Sequence, residues 1–152
     1  MIIGRPLSGG RFFMDLEIKN LGNLGEWVAG QYLKNRGYAI LNNHYTARWG
    51  EIDLVVQDQK EIVFVEVKSK SSKRFGMPVE AVTEQKLSRL IKTIHCYLQE
   101  ERLNELKYRI DVISIIFSSF MPPAIQHFKN VIPFDEPNYT EDQAANFNLT
   151  LE

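Results

Sequence analysis

Three residues in this chain have the types and spacing to hold a metal ion and work on a phosphate: Asp53, Glu66 and Lys68. They lie on two apolar segments with strand-like alternation, Glu51 to Val56 and Ile62 to Lys70, joined by the polar link Asp58-Gln59-Lys60-Glu61. So short a link makes an antiparallel hairpin. Closing Gln57 onto Ile62 sets Val63 against Val56, Val65 against Leu54 and Val67 against Ile52, giving an apolar face that Ile52, Leu54 and Val56 share. The same register sets Asp53 across from Glu66 and Glu51 across from Lys68. A slip by one residue would turn the acids toward a core, so the hydrophobic pattern specifies the pairing.

Carboxylates on facing β carbons lie roughly 4.5 to 5.5 Å apart and destabilise a sheet unless something neutralises them. A divalent cation does so, and Mg²⁺ takes one or two carboxylates plus waters and substrate phosphate oxygens. Lys68, two residues beyond Glu66 on the same face, then meets the phosphate or the attacking water. The competing explanation is a solvated strand face with Glu51 paired to Lys68. It suits any one acid better than the set, because Val55, Ile62 and Phe64 share that face and imply that it is covered. Charges at the margin of a covered face are costly without partners.

Asp53 followed by Glu66-Val67-Lys68 resembles the D…ExK signature of the PD-(D/E)xK nuclease superfamily, whose folds are similar to restriction endonucleases and Holliday-junction resolvases. A longer pattern is more specific: LGNLGEWVAGQYLKNRGY, then GEIDLV, FVEVKSK, FGMPVEAV, KLSRL and RIDVI. Together these resemble the YraN-like family of bacterial proteins over roughly Leu21 to Ile132. The resemblance implies a restriction endonuclease-like αβββαβ core and an Mg²⁺- or Mn²⁺-dependent endonuclease acting on DNA, branched or otherwise structured DNA included. It makes Asp53 and Glu66 metal ligands, with the Val67 carbonyl a further one and Glu26 of the first helix assisting. Junction-cutting relatives act as dimers, so a homodimer is implied too. Adjacent carboxylates raise a lysine pKa, so Lys68 is expected to stay cationic and stabilise the pentavalent phosphate.

Charge distribution agrees with a nucleic-acid partner, DNA before RNA, although the net charge is −1. From Lys68 to Lys92 the basic residues are Lys68, Lys70, Lys73, Arg74, Lys86, Arg89 and Lys92, against Glu80 and Glu84 alone. Lys70, Lys73, Arg74, Lys86 and Arg89, with Arg48 ahead of the hairpin, are the candidate phosphate contacts. Scattered surface lysines are the plainer explanation, and adjacency to the acidic pair is what favours phosphate. The acids Asp135, Glu136, Glu141, Asp142 and Glu152 are gathered at the C-terminal end, where no Lys or Arg accompanies them.

The 152 residues, 44% hydrophobic and 24% charged, fit a single globular domain able to bury most of its surface. No apolar run approaches bilayer length, no signal-type segment opens the chain, and the lone Cys96 fits a reducing compartment, so a cytoplasmic protein with no membrane contact is expected. His44, His95 and His127 have no zinc-like spacing.

Residues 1–19 read as a flexible extension, 20–133 as the endonuclease-like domain and 134–152 as an acidic, disordered tail. Asn20 or Asn23 caps a helix reaching Arg36, with Gly37 as its left-handed stop and Leu21, Leu24, Val28 and Tyr32 as its core stripe. Gly22, Gly25 and Ala29 let that helix approach the sheet and bring Glu26 near the site, although Asn23-x-x-Glu26 is also a capping box. Tyr38 to Tyr45 is a first strand, and Ser71 to Ala81 a loop in which Phe75 packs or stacks on a base. Thr83 caps a helix from Glu84 to about Leu103, its buried stripe Leu87, Leu90, Ile91, Ile94 and Leu98. Tyr108 to Phe117 is a buried strand returning parallel to the Glu66 strand, with Arg109 and Asp111 pairing on one face, and Ala124 to Ile132 is a fifth strand. The result is an α/β fold, a mixed sheet flanked by helices. Two other functions compete with catalysis: a non-cleaving nucleic-acid-binding module working with a partner nuclease or helicase, and a protein-docking domain in which the acids are structural.

Overall fold

The computed structural model describes residues 21–71, 84–119 and 121–131. The extension expected over 1–19, the tail expected over 134–152, and Asn20, Lys73, Arg74, Phe75 and Thr83 lie outside the described residues.

Helix α1 (Leu21–Lys34) is followed by β1 (Ala39–Ala47), β2 (Gly50–Asp58) and β3 (Glu61–Ser71), then helix α2 (Glu84–Glu100), β4 (Tyr108–Phe117) and β5 (Ala124–Phe128). The strands form one sheet in sequence order, antiparallel except for the parallel β3–β4 pair. This is the αβββαβ order of a restriction endonuclease-like core with β5 added at the edge. No described helix is long and apolar enough to cross a membrane.

Each face of the sheet carries one helix. Ala29 and Leu33 of α1 pack with Leu54, Val56, Val63, Val65, Ile113 and Ile115. On the other face, Leu87, Ile94, Tyr97 and Leu98 of α2 pack with Val55, Ile62, Phe64 and Ile110. Burying a side chain of this size contributes roughly 1.5–3 kcal/mol, so these two layers carry the domain. The α1 stripe differs from the expected one. Gly25, Ala29, Gly30 and Leu33 are the buried positions, while Val28 and Tyr32 only flank the cluster. A Cβ on Gly25 would fall inside the Ser69 hydroxyl, so the small residues, not the large ones, set how closely the helix lies on β3. Gly22, by contrast, meets nothing within 4 Å. The helix ends as expected at Gly37 (φ 87), with Tyr38 N–H donating to the Leu33 carbonyl and Gly37 N–H to that of Lys34.

The β2–β3 turn is tighter than expected: Asp58 pairs with Glu61, leaving Gln59 (φ 56) and Lys60 in the turn. At this end of the sheet Arg109 lies among three carboxylates, with Nη1 2.5 Å from Glu61, Nη2 3.0 Å from Asp58 and Nε 3.0 Å from Asp111. Asp111 is wholly buried, and it also accepts from the Asn130 backbone N–H (2.8 Å) and meets His127 Nε2 (2.8 Å). The expected Arg109–Asp111 pair is therefore one part of a cluster that ties β2, β3, β4 and β5 together. Strand β5 is shorter than expected, and Asn130 (φ 49) follows its end.

Candidate metal centre

Strands β2 and β3 form a fork. Their last paired residues are Leu54 and Val65, beyond which β2 stays with β1 as far as Gly50 and β3 stays with β4 as far as Ser71. The pairs expected through Val56–Val63 and Leu54–Val65 are formed, but Asp53–Glu66 and Glu51–Lys68 are not. A further rung would have pressed two carboxylates together. Instead β2 turns aside, and Asp53 Oδ2 accepts the Val67 backbone N–H at 2.6 Å. Val67 thus enters the site through its N–H.

The side-chain alternation breaks at the same point. Ile52 lies in the α2-side cluster while Leu54, two residues on, lies in the α1-side cluster, which corrects the shared apolar face expected for Ile52, Leu54 and Val56. In β1 the residue between the Asn43–Leu54 and Tyr45–Ile52 pairs is His44, at φ 57. Left-handed backbone is uncommon for a non-glycine residue inside a strand, and such strain tends to sit at functional sites. A register shift between Ile40 and Asn42 also breaks the even alternation expected for β1.

Helix α1 delivers Glu26 to the fork, one residue after the close approach at Gly25. His44 Nδ1 lies 3.5 Å from Glu26 Oε2, and its Nε2 lies 3.5 Å from Glu51 Oε2. Glu26, His44 and Asp53 each present a ligand atom, all within 4.8 Å of one another. Burial, then the Glu66 and Glu26 charges, push the Asp53 carboxyl up to about 6 against the Val67 hydrogen bond. Asp53 is therefore an acid whose burial, first, and whose acidic neighbours, second, disfavour its charge. Two carboxylate oxygens and one imidazole nitrogen suit a divalent cation, the carboxylates fitting Mg²⁺ or Mn²⁺ and the imidazole drawing the preference toward the transition metal.

Glu66 is outside this trio. Its Oε1 is 2.6 Å from Lys68 Nζ and 3.1 Å from Lys86 Nζ. Burial opposes ionisation of Glu66, but the two lysines outweigh it and hold the carboxyl below its usual range. Burial likewise opposes the charge on Lys68, yet its hydrogen bond to Glu66 and the nearby Asp53 raise its pKa. The amine stays cationic.

Asp53, Glu66, Lys68, Glu26 and Lys86 thus gather at one end of the sheet. Lys70 follows on β3, paired in register with Ile116. Arg89 is exposed on α2, and Arg48 stands at the β1–β2 turn with its guanidinium 4.7 Å from the Trp49 ring centroid. His44 escaped the sequence reading because its partners are not near it in sequence. Only the β1–β2 register sets it opposite Asp53, and no local motif announces that.

A family model described as uncharacterised protein family UPF0102 matches residues 25–115. A UPF0102 protein of Geobacter metallireducens is 44% identical over 117 residues, covering 77% of this chain and 95% of the relative. One of Clostridium tetani is 41% identical over 102 residues (67% and 84%), and one of Persephonella marina 39% over 114 residues (75% and 94%). The matched span runs from the glycine of α1 that meets Ser69 to the end of the buried run of β4, so it takes in every described residue of the fork, and this chain belongs to the UPF0102 family.

Proposed function

We propose that this protein is a metal-dependent endonuclease that hydrolyses phosphodiester bonds in DNA, structured or branched DNA included. The observation that carries the reading is the fork, where Asp53, Glu26 and His44 converge on the α1 side while a cationic Lys68 stands beside Glu66. Asp53, Glu26 and His44 would hold Mg²⁺ or Mn²⁺, with Glu66 joining if its lysines give way. When bound, the cation supplies Lewis-acid charge to the phosphodiester and to the attacking water.

The chain's own residues do the rest. The Val67 N–H fixes the Asp53 carboxylate, and the cluster around Glu66 holds Lys68 with its charge intact. Lys68 therefore stabilises negative charge developing on the phosphate; a raised pKa makes it a poor base. Lys86, Arg89 and Arg48 position the strand. Residence in the cytoplasm belongs to the same proposal and rests on the single cysteine.

One observation favours a second reading. Glu66 is already neutralised by Lys68 and Lys86, so that half of the site is satisfied without a cation. The chain would then bind nucleic acid without cutting, beside a partner nuclease or helicase.

Cleavage of duplex, flap and four-way-junction DNA with Mg²⁺ or Mn²⁺ is the test, run with the native chain, Asp53→Ala and Lys68→Ala. The nuclease reading expects cleavage by the native chain, abolished by chelator and by either substitution. Full activity in either variant overturns it. Salt-dependent binding indifferent to chelator, with no turnover on any substrate, establishes the second reading instead.

A further inference from the structure

We infer that Trp49 is a stacking site for an unpaired nucleobase, so that the preferred substrate of the proposed centre is DNA with a single-stranded arm. This rests on the nuclease reading above and extends it to the substrate's shape. Ala47 pairs with Gly50, so Arg48 and Trp49 are the two central residues of a tight turn. A turn this short holds its side chains in place. The turn is also seated on α2: a Cβ on Gly50 would lie 3.4 Å from Thr93 Oγ1, and Thr93 is wholly buried.

Although this turn adjoins the Tyr45–Tyr97 aromatic contact, Trp49 is 40% exposed. Cations hold it there. The Arg48 guanidinium lies 4.7 Å and the Lys92 ammonium 5.0 Å from the ring centroid. An indole with two positive charges over its ring makes a poor docking surface for an apolar protein face, and a base stacking there would take the place of one cation as that cation turns to the adjoining phosphate. It is complementary to a base bearing phosphates on either side, and such base–aromatic stacking is how single strands are gripped without sequence preference.

Position ties the ring to the metal centre. Lys86, Arg89 and Lys92 are each three residues apart on α2, so successive members are neighbours on its surface. Lys86 is at Glu66 (3.1 Å) and Lys92 is at Trp49. Six helical residues advance about 9 Å, which is two to three nucleotides of a B-form strand at about 3.4 Å each. A strand whose phosphate sits at the fork thus has a cationic path to the indole. In continuous duplex both faces of every base are already stacked, so only an unpaired nucleotide can use Trp49.

The experiment measures tryptophan emission and affinity together. Trp27→Phe leaves Trp49 as the only indole, because the chain has two tryptophans. In EDTA, so that nothing is cut, this protein is titrated with an oligo-dT, a blunt duplex of equal length and a splayed-arm DNA. Quenching is expected with oligo-dT and the splayed arm but not with the duplex. Trp49→Ala should weaken those two ligands by about tenfold and leave duplex affinity unchanged, while Trp49→Phe keeps most of the affinity. Duplex binding without quenching by either single-stranded ligand overturns the stacking site and leaves the nuclease reading standing. Equal loss for duplex and single strand in Trp49→Ala does the same. Failure to bind any DNA at low salt, in EDTA and again with Ca²⁺ in its place, overturns both. The quench needs no change at Trp49, so it decides the matter even if Trp49→Ala folds poorly.

Discussion

The Val67 backbone N–H donates to Asp53 Oδ2 at 2.6 Å, in the place where the next rung between β2 and β3 would be. A side chain substitutes for a strand there, and the substitution leaves an acid in surroundings that disfavour its charge.

Asp53→Asn should therefore make the metal-free protein more stable while ending metal-dependent activity. The folded pKa, about 6, lies above the ordinary value of 3.8, so ionisation of Asp53 opposes folding. This penalty is absent below pH 4, grows between pH 4 and 6, and is full above that, reaching about 3 kcal/mol. Thermal melts in EDTA should show the variant above the native chain at pH 7.5 and level with it near pH 4. A lower melting temperature at pH 7.5 would contradict the cost of holding this carboxylate buried and ionised.

His44→Ala should discriminate between metals. Imidazole favours Mn²⁺ over Mg²⁺ more than carboxylate does, so the variant should lose about tenfold in Mn²⁺ affinity, about 1.4 kcal/mol, and less in Mg²⁺ affinity. Glu26→Gln should weaken both. Calorimetric titration reads the affinities, and nitrogen coupling in the Mn²⁺ resonance spectrum reports His44 directly. Equal losses for both metals in His44→Ala would mean that the ring only lines the site.

Asp111→Asn should be among the most damaging substitutions. It leaves Arg109 and His127 facing a neutral group, and although Arg109 keeps Asp58 and Glu61, weakening charge-assisted hydrogen bonds at a wholly buried acceptor costs about 1–3 kcal/mol. Burial alone would raise the Asp111 pKa, but His127, Arg109 and the Asn130 N–H outweigh it and lower the folded value. The native cluster thus gives its stability above the unfolded carboxylate pKa and loses it as pH falls through the folded one. Urea melts between pH 3 and 7 should show that acid limb in the native chain and a flatter one in the variant.

Gly25→Ala and Gly22→Ala should move stability in opposite directions. Alanine is the better helix former by about 0.8–1 kcal/mol, and at Gly22 nothing stands in its way. At Gly25 the new methyl meets Ser69 on β3, and overpacking of this kind costs about 1–3 kcal/mol. Because Glu26 is the next residue, Gly25→Ala should also weaken metal binding, measured by the same titration.

The order of the elements, the parallel return of β4 and the register from Val56–Val63 to Leu54–Val65 are legible in the sequence, because hydrophobic alternation constrains all three. Legibility ends where alternation itself fails. At Asp53 the period breaks, and a pattern that assumes period two carries Ile52 to the wrong face and pairs Asp53 with Glu66. His44 is hidden for a related reason, since its place opposite Asp53 depends on the register shift between Ile40 and Asn42. On α1 the large apolar residues drew attention from the glycine and alanine that make the contact. The Arg109 cluster was legible only as one pair, because Asp58, Glu61 and His127 reach it from three other strands.

The fork has a consequence for how copies of this chain behave toward one another. Beyond Val65, no described strand pairs with β3 on its β2 side, and the Asp53 side chain takes up the Val67 N–H there. Half-open strand edges are where foreign chains zip on and assemblies begin to grow, and lysines are a common guard against it. Lys68 and Lys70 stand on this stretch, where the charge that would face a phosphate during turnover would also oppose the zipping-on of a second chain.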